Sequence, residues 1–130
     1  MKKISILIGF TLAIVSLSLV SMVFAADHSF GGLTTNGGGT VWQVNFNALP
    51  GYTADDVDLA EGVTANVYIG SDPTPISLTI RDVVIRNGAL IIYFKGADLP
   101  QDVTATNVIG HFDDETTFLA TGVGFAWRRR

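Results

Sequence analysis

Cysteine is absent from all 130 residues, and bases are scarce: eight Lys and Arg stand against twelve Asp and Glu, with two histidines. Each shortage excludes something. Without cysteine there is no disulfide, no thiolate metal site, no cysteine nucleophile and no lipidated cysteine of the lipoprotein kind. The shortage of bases sharpens when they are located. Lys2 and Lys3 begin the chain and Arg128–Arg130 end it, so Ala26–Trp127 keeps three bases, Arg81, Arg86 and Lys95, against twelve acids, a net of −9. Such a surface repels phosphate backbones, which argues against nucleic acid as a partner. The arginine triplet, residues 128–130, reads as a solvated basic tail.

Other absences concern chemistry. The serines beyond residue 25 are Ser29, Ser71 and Ser77, and none lies in a Gly-x-Ser-x-Gly elbow. Gly37–Gly39 has no Lys-Ser/Thr after it and no helix to open, so it is no phosphate loop. A glycosidase needs two carboxylates held across a cleft, a separation that twelve scattered acids do not specify. The sequence therefore predicts no enzyme, no catalytic residue and no cofactor. Helical spacing is missing too: beyond residue 25 no stretch carries it for ten residues.

What is present begins with an address. "MKKISILIGFTLAIVSLSLVSMVFA" runs from two lysines through a long apolar segment to a small-residue ending at Ala25, the layout of a cleaved signal peptide over residues 1–25. A permanent anchor is the competing reading, since the apolar run approaches the roughly 20 residues that span a bilayer. A cleaved leader places the product in the periplasm or outside the cell. The remainder suits one domain, able to bury roughly 60–70% of its unfolded surface without covalent staples.

Residues 26–39, "ADHSFGGLTTNGGG", hold five glycines and read as a flexible leader. From residue 40 to 127 the pattern becomes that of short strands. Trp42, Val44 and Phe46 alternate with Gln43, Asn45 and Asn47, the period of a half-buried strand. Val63, Val67 and Ile69 predict a second strand, stopped by "GSDPTP", whose Pro73 and Pro75 lack amide donors. In "DVVIRNGALIIYF", Asn87-Gly88 accepts the positive φ angles of a type I′ turn and sets Ile85 against Leu90 and Val83 against Ile92. That register puts Val83, Ile85, Leu90, Ile92 and Phe94 on the core face, because burying Asp82 or Arg86 unpaired would cost several kcal/mol. Two more extended runs, "VTATNVIGHF" and "TFLATGVGFAW", complete an all-β pattern: an antiparallel, immunoglobulin-like sandwich of about six to eight strands.

The densest group of potential ligands is "GHFDDETTFLATG". Closing this hairpin between Phe112 and Thr117 pairs His111 with Phe118 and Ile109 with Ala120. The core face is then Val108, Phe112, Leu119, Val123, Phe125 and Trp127, with His111 and Phe118 outside. Asp113, Asp114 and Glu115 serve the turn, since carboxylates there bond nearby amides. A metal or proton-transfer role for His111 needs more ligands, and the only other histidine is His28. Asp55, Asp56, Asp58 and Glu61 are the weak calcium candidates, hard oxygen donors at short spacing, although no Asp-x-Asp-x-Asp-Gly loop follows. Of the aromatics able to stack on a sugar ring, Trp42 and Trp127 fall on core faces. Tyr52, in a loop, and Tyr68, on an outer face, are better placed, so Tyr52, Tyr68, His111 and Phe118 are the candidate ligand-binding residues.

"ALPGYTADDVDLAEGV", "GALIIYF" and "VTATNVIGHFDDETTFLATG" together resemble a β-sandwich module of secreted and envelope-associated bacterial and archaeal proteins, often found beside dockerin-like or other extracellular repeats. The resemblance spans roughly residues 42–123. In that family the last hairpin reads Gly-x-Phe-x-Asp-Gly-Thr-x-Phe-x-Gly; here Gly110, Phe112, Asp114, Thr116 and Phe118 match, Gly122 is displaced and Glu115 replaces the turn glycine. Glutamate is costly at positive φ, which predicts a longer turn. The resemblance implies a non-catalytic accessory or structural module. The expected partner is a protein or a glycan, with the chain acting as a monomer or within an envelope assembly and, once cleaved, away from the membrane. The alternatives are an adhesive or polymerising subunit that exchanges strands, whose donor "GGLTTNGGG" lacks alternating apolar residues, and a weak carbohydrate-binding module.

Overall fold

The computed structural model describes residues 25–96 and 99–126. The signal-like segment, Trp127 and the arginine tail thus lie essentially outside the described residues. Nine strands follow in chain order: β1 (His28–Phe30), β2 (Leu33–Asn36), β3 (Val41–Asn45), β4 (Thr64–Ile69), β5 (Ile76–Ser77), β6 (Ile80–Arg86), β7 (Ala89–Phe94), β8 (Val103–His111) and β9 (Thr117–Phe125). They form two packed sheets, ordered β1-β9-β8-β4-β5 and β2-β3-β7-β6. Among the described residues no helix is long and apolar enough to cross a membrane.

The β6–β7 hairpin has the register its turn predicts, with Ile85 opposite Leu90 and Val83 opposite Ile92. Asn87 and Gly88 sit at φ 54° and 78°, the left-handed pair that a type I′ turn requires. Leu90, Ile92 and Phe94 are buried, and Val83 and Ile85 pack against them. In β3, Trp42 and Val44 are fully buried, and Trp42 donates its indole N–H to the Gly39 carbonyl at 2.9 Å. That bond satisfies a polar atom that the core could not otherwise hold.

Three expectations need correction. The first concerns residues 26–39: this stretch is structured, with β1 pairing parallel to β9 and β2 pairing antiparallel to β3. Phe30 and Leu33 explain the difference, since both are buried in the core and hold a glycine-rich segment that has little propensity of its own. Gly31-Gly32 carries the chain from one sheet to the other. A Cβ on Gly32 would stand 2.1 Å from the Asn45 carbonyl oxygen, so only glycine passes there. The supposed strand donor is thus already engaged in the chain's own sheets, and with it the described residues hold nine strands and one parallel pair.

The second concerns the β8–β9 hairpin, which is one residue out of the expected register. Phe112 N–H donates to the Thr116 carbonyl at 2.9 Å, closing a three-residue loop, Asp113–Glu115. His111 therefore pairs with Thr117, and Phe118 with Gly110. A shift of one residue exchanges the faces of a strand: Phe118 and Ala120 are fully buried, whereas Val123 is 80% exposed. The Phe118 ring lies across Gly110, where a Cβ would come within 2.5 Å of it.

The third follows from the second, because the longer turn does not form. Glu115 itself takes the left-handed position, at φ 73°, in the place that a three-residue hairpin loop normally gives to glycine.

If residues 28–36 are integral to the core, Phe30→Ala destabilises the protein by about 3–5 kcal/mol, the range for emptying a buried phenylalanine site. Urea denaturation measures it, and a loss below 1 kcal/mol would return the segment to a leader.

Candidate functional site

At one end of the sandwich the acidic connection between β3 and β4 meets the tip of the β8–β9 hairpin. Backbone hydrogen bonds join them: Asp58 N–H donates to His111 O, and Asp113 N–H to Asp56 O, both at 2.8 Å, flanking a bridge between Val57 and Phe112. The connection thus behaves as a short strand laid along the hairpin, anchored by buried Ala54 and Val57.

Pro50-Gly51, with Gly51 at φ 91°, turns the chain so that Tyr52 falls on Phe112. The two rings stack at 4.1 Å with planes 20° apart, and His28 packs against both at 4.7 and 5.8 Å. Tyr52 O–H then donates to Asp114 Oδ2 at 2.5 Å, while Thr116 N–H and O–H donate to Asp114 Oδ1. The Thr116 hydroxyl is the largest influence on Asp114, followed by the Tyr52 hydroxyl and the Thr116 amide; together they hold its carboxyl at about 2, below its ordinary 3.8. The same Tyr52–Asp114 bond raises the Tyr52 phenol, because ionisation would lose the bond and set two anions together.

A cleft of about 500 Å³ opens here, lined by Gly51, Tyr52, Asp56, Phe112, Asp113 and Asp114. Its carboxylates are not equivalent. Asp114 is held as described, and Asp56 accepts the Thr53 amide at 2.8 Å. Asp113 is exposed, and among the described residues its side chain makes no hydrogen bond. The cleft therefore offers one uncommitted acceptor beside an aromatic wall. A carboxyl held at about 2 is too weak a base for proton transfer near neutrality.

The predicted site residues disperse. Tyr52 lines the cleft. His111, half-buried on the outer face, contributes its carbonyl to the Asp58 amide. Tyr68 pairs with Ala105, at the far end of β8, where its hydroxyl accepts from Asn107 at 3.3 Å. Phe118 is core. Of the calcium candidates, Asp56 and Asp58 cap the backbone at Thr53 and Ala60, and Asp55 and Glu61 are exposed. Among the described residues no three His, Asp or Glu side chains converge to hold a metal ion.

No known protein family, curated protein or solved structure matches the chain. The site thus rests on its own geometry. Tyr52 and Asp114 stand 62 positions apart in the chain, so no run of sequence shows that Tyr52 faces the acids. No local signal joins them; the Val57–Phe112 bridge does.

Two measurements follow from the hairpin tip. Because the folded value of Asp114 lies below the unfolded one, its contribution to stability is present above about pH 4 and is lost as pH falls through about 2. Thr116→Val returns the Asp114 midpoint toward 3.8 in a carboxyl-carbon NMR titration; an unmoved midpoint would remove Thr116 as the cause. Glu115→Gly relieves the left-handed strain and stabilises the protein by about 0.5–1 kcal/mol after the entropic cost of glycine, read as a raised denaturation midpoint.

Proposed function

We propose that this chain is an exported, non-catalytic binding module with an immunoglobulin-like sandwich, whose ligand is a neutral or amino-bearing glycan held in the Tyr52 cleft. The observation that carries the reading is the pairing, in that cleft, of a braced aromatic ring with the uncommitted Asp113 carboxylate. An aromatic ring packs on the apolar face of a sugar, and a carboxylate accepts its hydroxyls in charge-assisted bonds. Bracing lowers the ordering cost of binding, since Tyr52 is held by Phe112 and Asp114 before any ligand arrives. With Asp56, Asp113 and Asp114 on its wall, the cleft disfavours anionic ligands.

The topology supports the immunoglobulin-like reading. The order β2-β3-β7-β6 facing β9-β8-β4-β5 follows the A-B-E-D and G-F-C-C′ orders of such sandwiches, with β1 added beside the last strand. Binding residues gather on the loops at the ends of these scaffolds, where the cleft lies. The signal-like layout of residues 1–25 supports export to the periplasm or beyond. The resemblance to secreted accessory modules agrees with a role beside other extracellular domains.

Export from a bacterial host yields a protein whose first residue, by mass spectrometry, is Ala26. On a glycan array the exported protein retains neutral or amino glycans. Asp113→Asn weakens that binding about tenfold or more in calorimetry while leaving the melting temperature unchanged. An array without hits, or binding indifferent to Asp113→Asn, would refute the assignment.

A further inference from the structure

We propose that β6 is a self-recognising edge, through which two copies of this chain pair antiparallel about Val84. The two sheets leave four edges, and three are short: β1 has three residues, β2 four and β5 two, the last entered through Pro73 and Pro75. β6 has seven residues and no proline, and no described strand lies beyond it. A long unpaired edge is a template for another strand unless something blocks it.

The hairpin register shows which groups face outward. Arg86 and Ala89 flank the two-residue turn and form a hydrogen-bonded pair, so Val84 also bonds toward β7, while Val83 and Ile85 direct their N–H and C=O groups to the open side. The amide of Val83 agrees: it donates to the adjacent Asp82 carboxylate at 2.9 Å and not across the sheet. An antiparallel partner must then match outward residues with outward residues, which restricts β6 pairing with itself to registers centred on a residue.

Of these, the register centred on Val84 sets Val83 against Ile85 twice and Asp82 against Arg86 twice. Centring on Val83 or Ile85 places no acid opposite a base. The Asp82–Arg86 pairs fall at positions without backbone bonds, where side chains approach most closely. Both charges are available for the contact. Asp82 accepts only the neighbouring amide, and Arg86 reaches only the Tyr93 hydroxyl at 3.3 Å, so among the described residues neither has an ionic partner. Arg81 and Arg86 are moreover two of the three bases between Ala26 and Trp127. Two copies repel over most of their surfaces and attract along this edge.

Sedimentation velocity of the exported protein, from micromolar to millimolar concentration, tests the edge. A dimer forms with rising concentration; Asp82→Arg alone or Arg86→Asp alone raises its dissociation constant about tenfold or more; and the double exchange Asp82→Arg/Arg86→Asp restores it. Both positions are exposed, and circular dichroism of each variant verifies the fold. A chain that stays monomeric at millimolar concentration, a dimer insensitive to the single reversals, or one not rescued by the double exchange overturns the proposal. A dimer lost in Asp113→Asn but retained in Asp82→Arg does so as well, by moving the contact to the acidic end.

Discussion

Phe30, Phe46, Phe112 and Phe118 meet at one end of the sandwich with ring centres 4.9 to 6.2 Å apart. They come from β1, the turn after β3, the hairpin tip and β9, so removing apolar surface from water here ties the first sheet to the turn that leaves β3 of the second. Seating Phe118 inside sets the register of β9. Seating Phe112 beside it places the wall on which Tyr52 stacks, and the position of Tyr52 in turn determines which carboxylate it can reach. The cleft is the outer surface of this aromatic cluster, and the geometry of its polar rim is inherited from the apolar packing beneath.

The acids around that rim do two kinds of work. Asp56 and Asp58 bond amides at the starts of single helical turns, and Asp114 gathers three donors, so their charge organises the local backbone. Asp113 and Asp55 keep their carboxylates in solvent. Two of the three bases between Ala26 and Trp127, Arg81 and Arg86, lie on β6.

Legibility from sequence followed the range of the interaction that decides each element. The β6–β7 hairpin was readable because Asn87-Gly88 states its turn locally, and β3 because Trp42, Val44 and Phe46 alternate. Residues 28–36 were not, since two short strands among five glycines carry almost no propensity, and what orders them is the burial of Phe30 and Leu33 against distant strands. At the β8–β9 hairpin the face of each β9 side chain hung on the length of the turn. Glu115 carries no sign that it will accept a positive φ, and the alternative four-residue loop moves Phe118 outside. The acids in this hairpin were rightly read as turn residues. Their meeting with Tyr52 was invisible because it depends on tertiary pairing across half the chain.

The parallel pairing of β1 with β9 bears on when the fold can close. Asp27 and Thr117, which exchange hydrogen bonds beside this pair, are 90 residues apart, so β1 waits for a strand made after the seven that lie between them. Until then Phe30 has no Phe118 to cover it, and neither sheet can be completed from the N-terminal half. A chain built this way closes its first sheet only after β9 has been made.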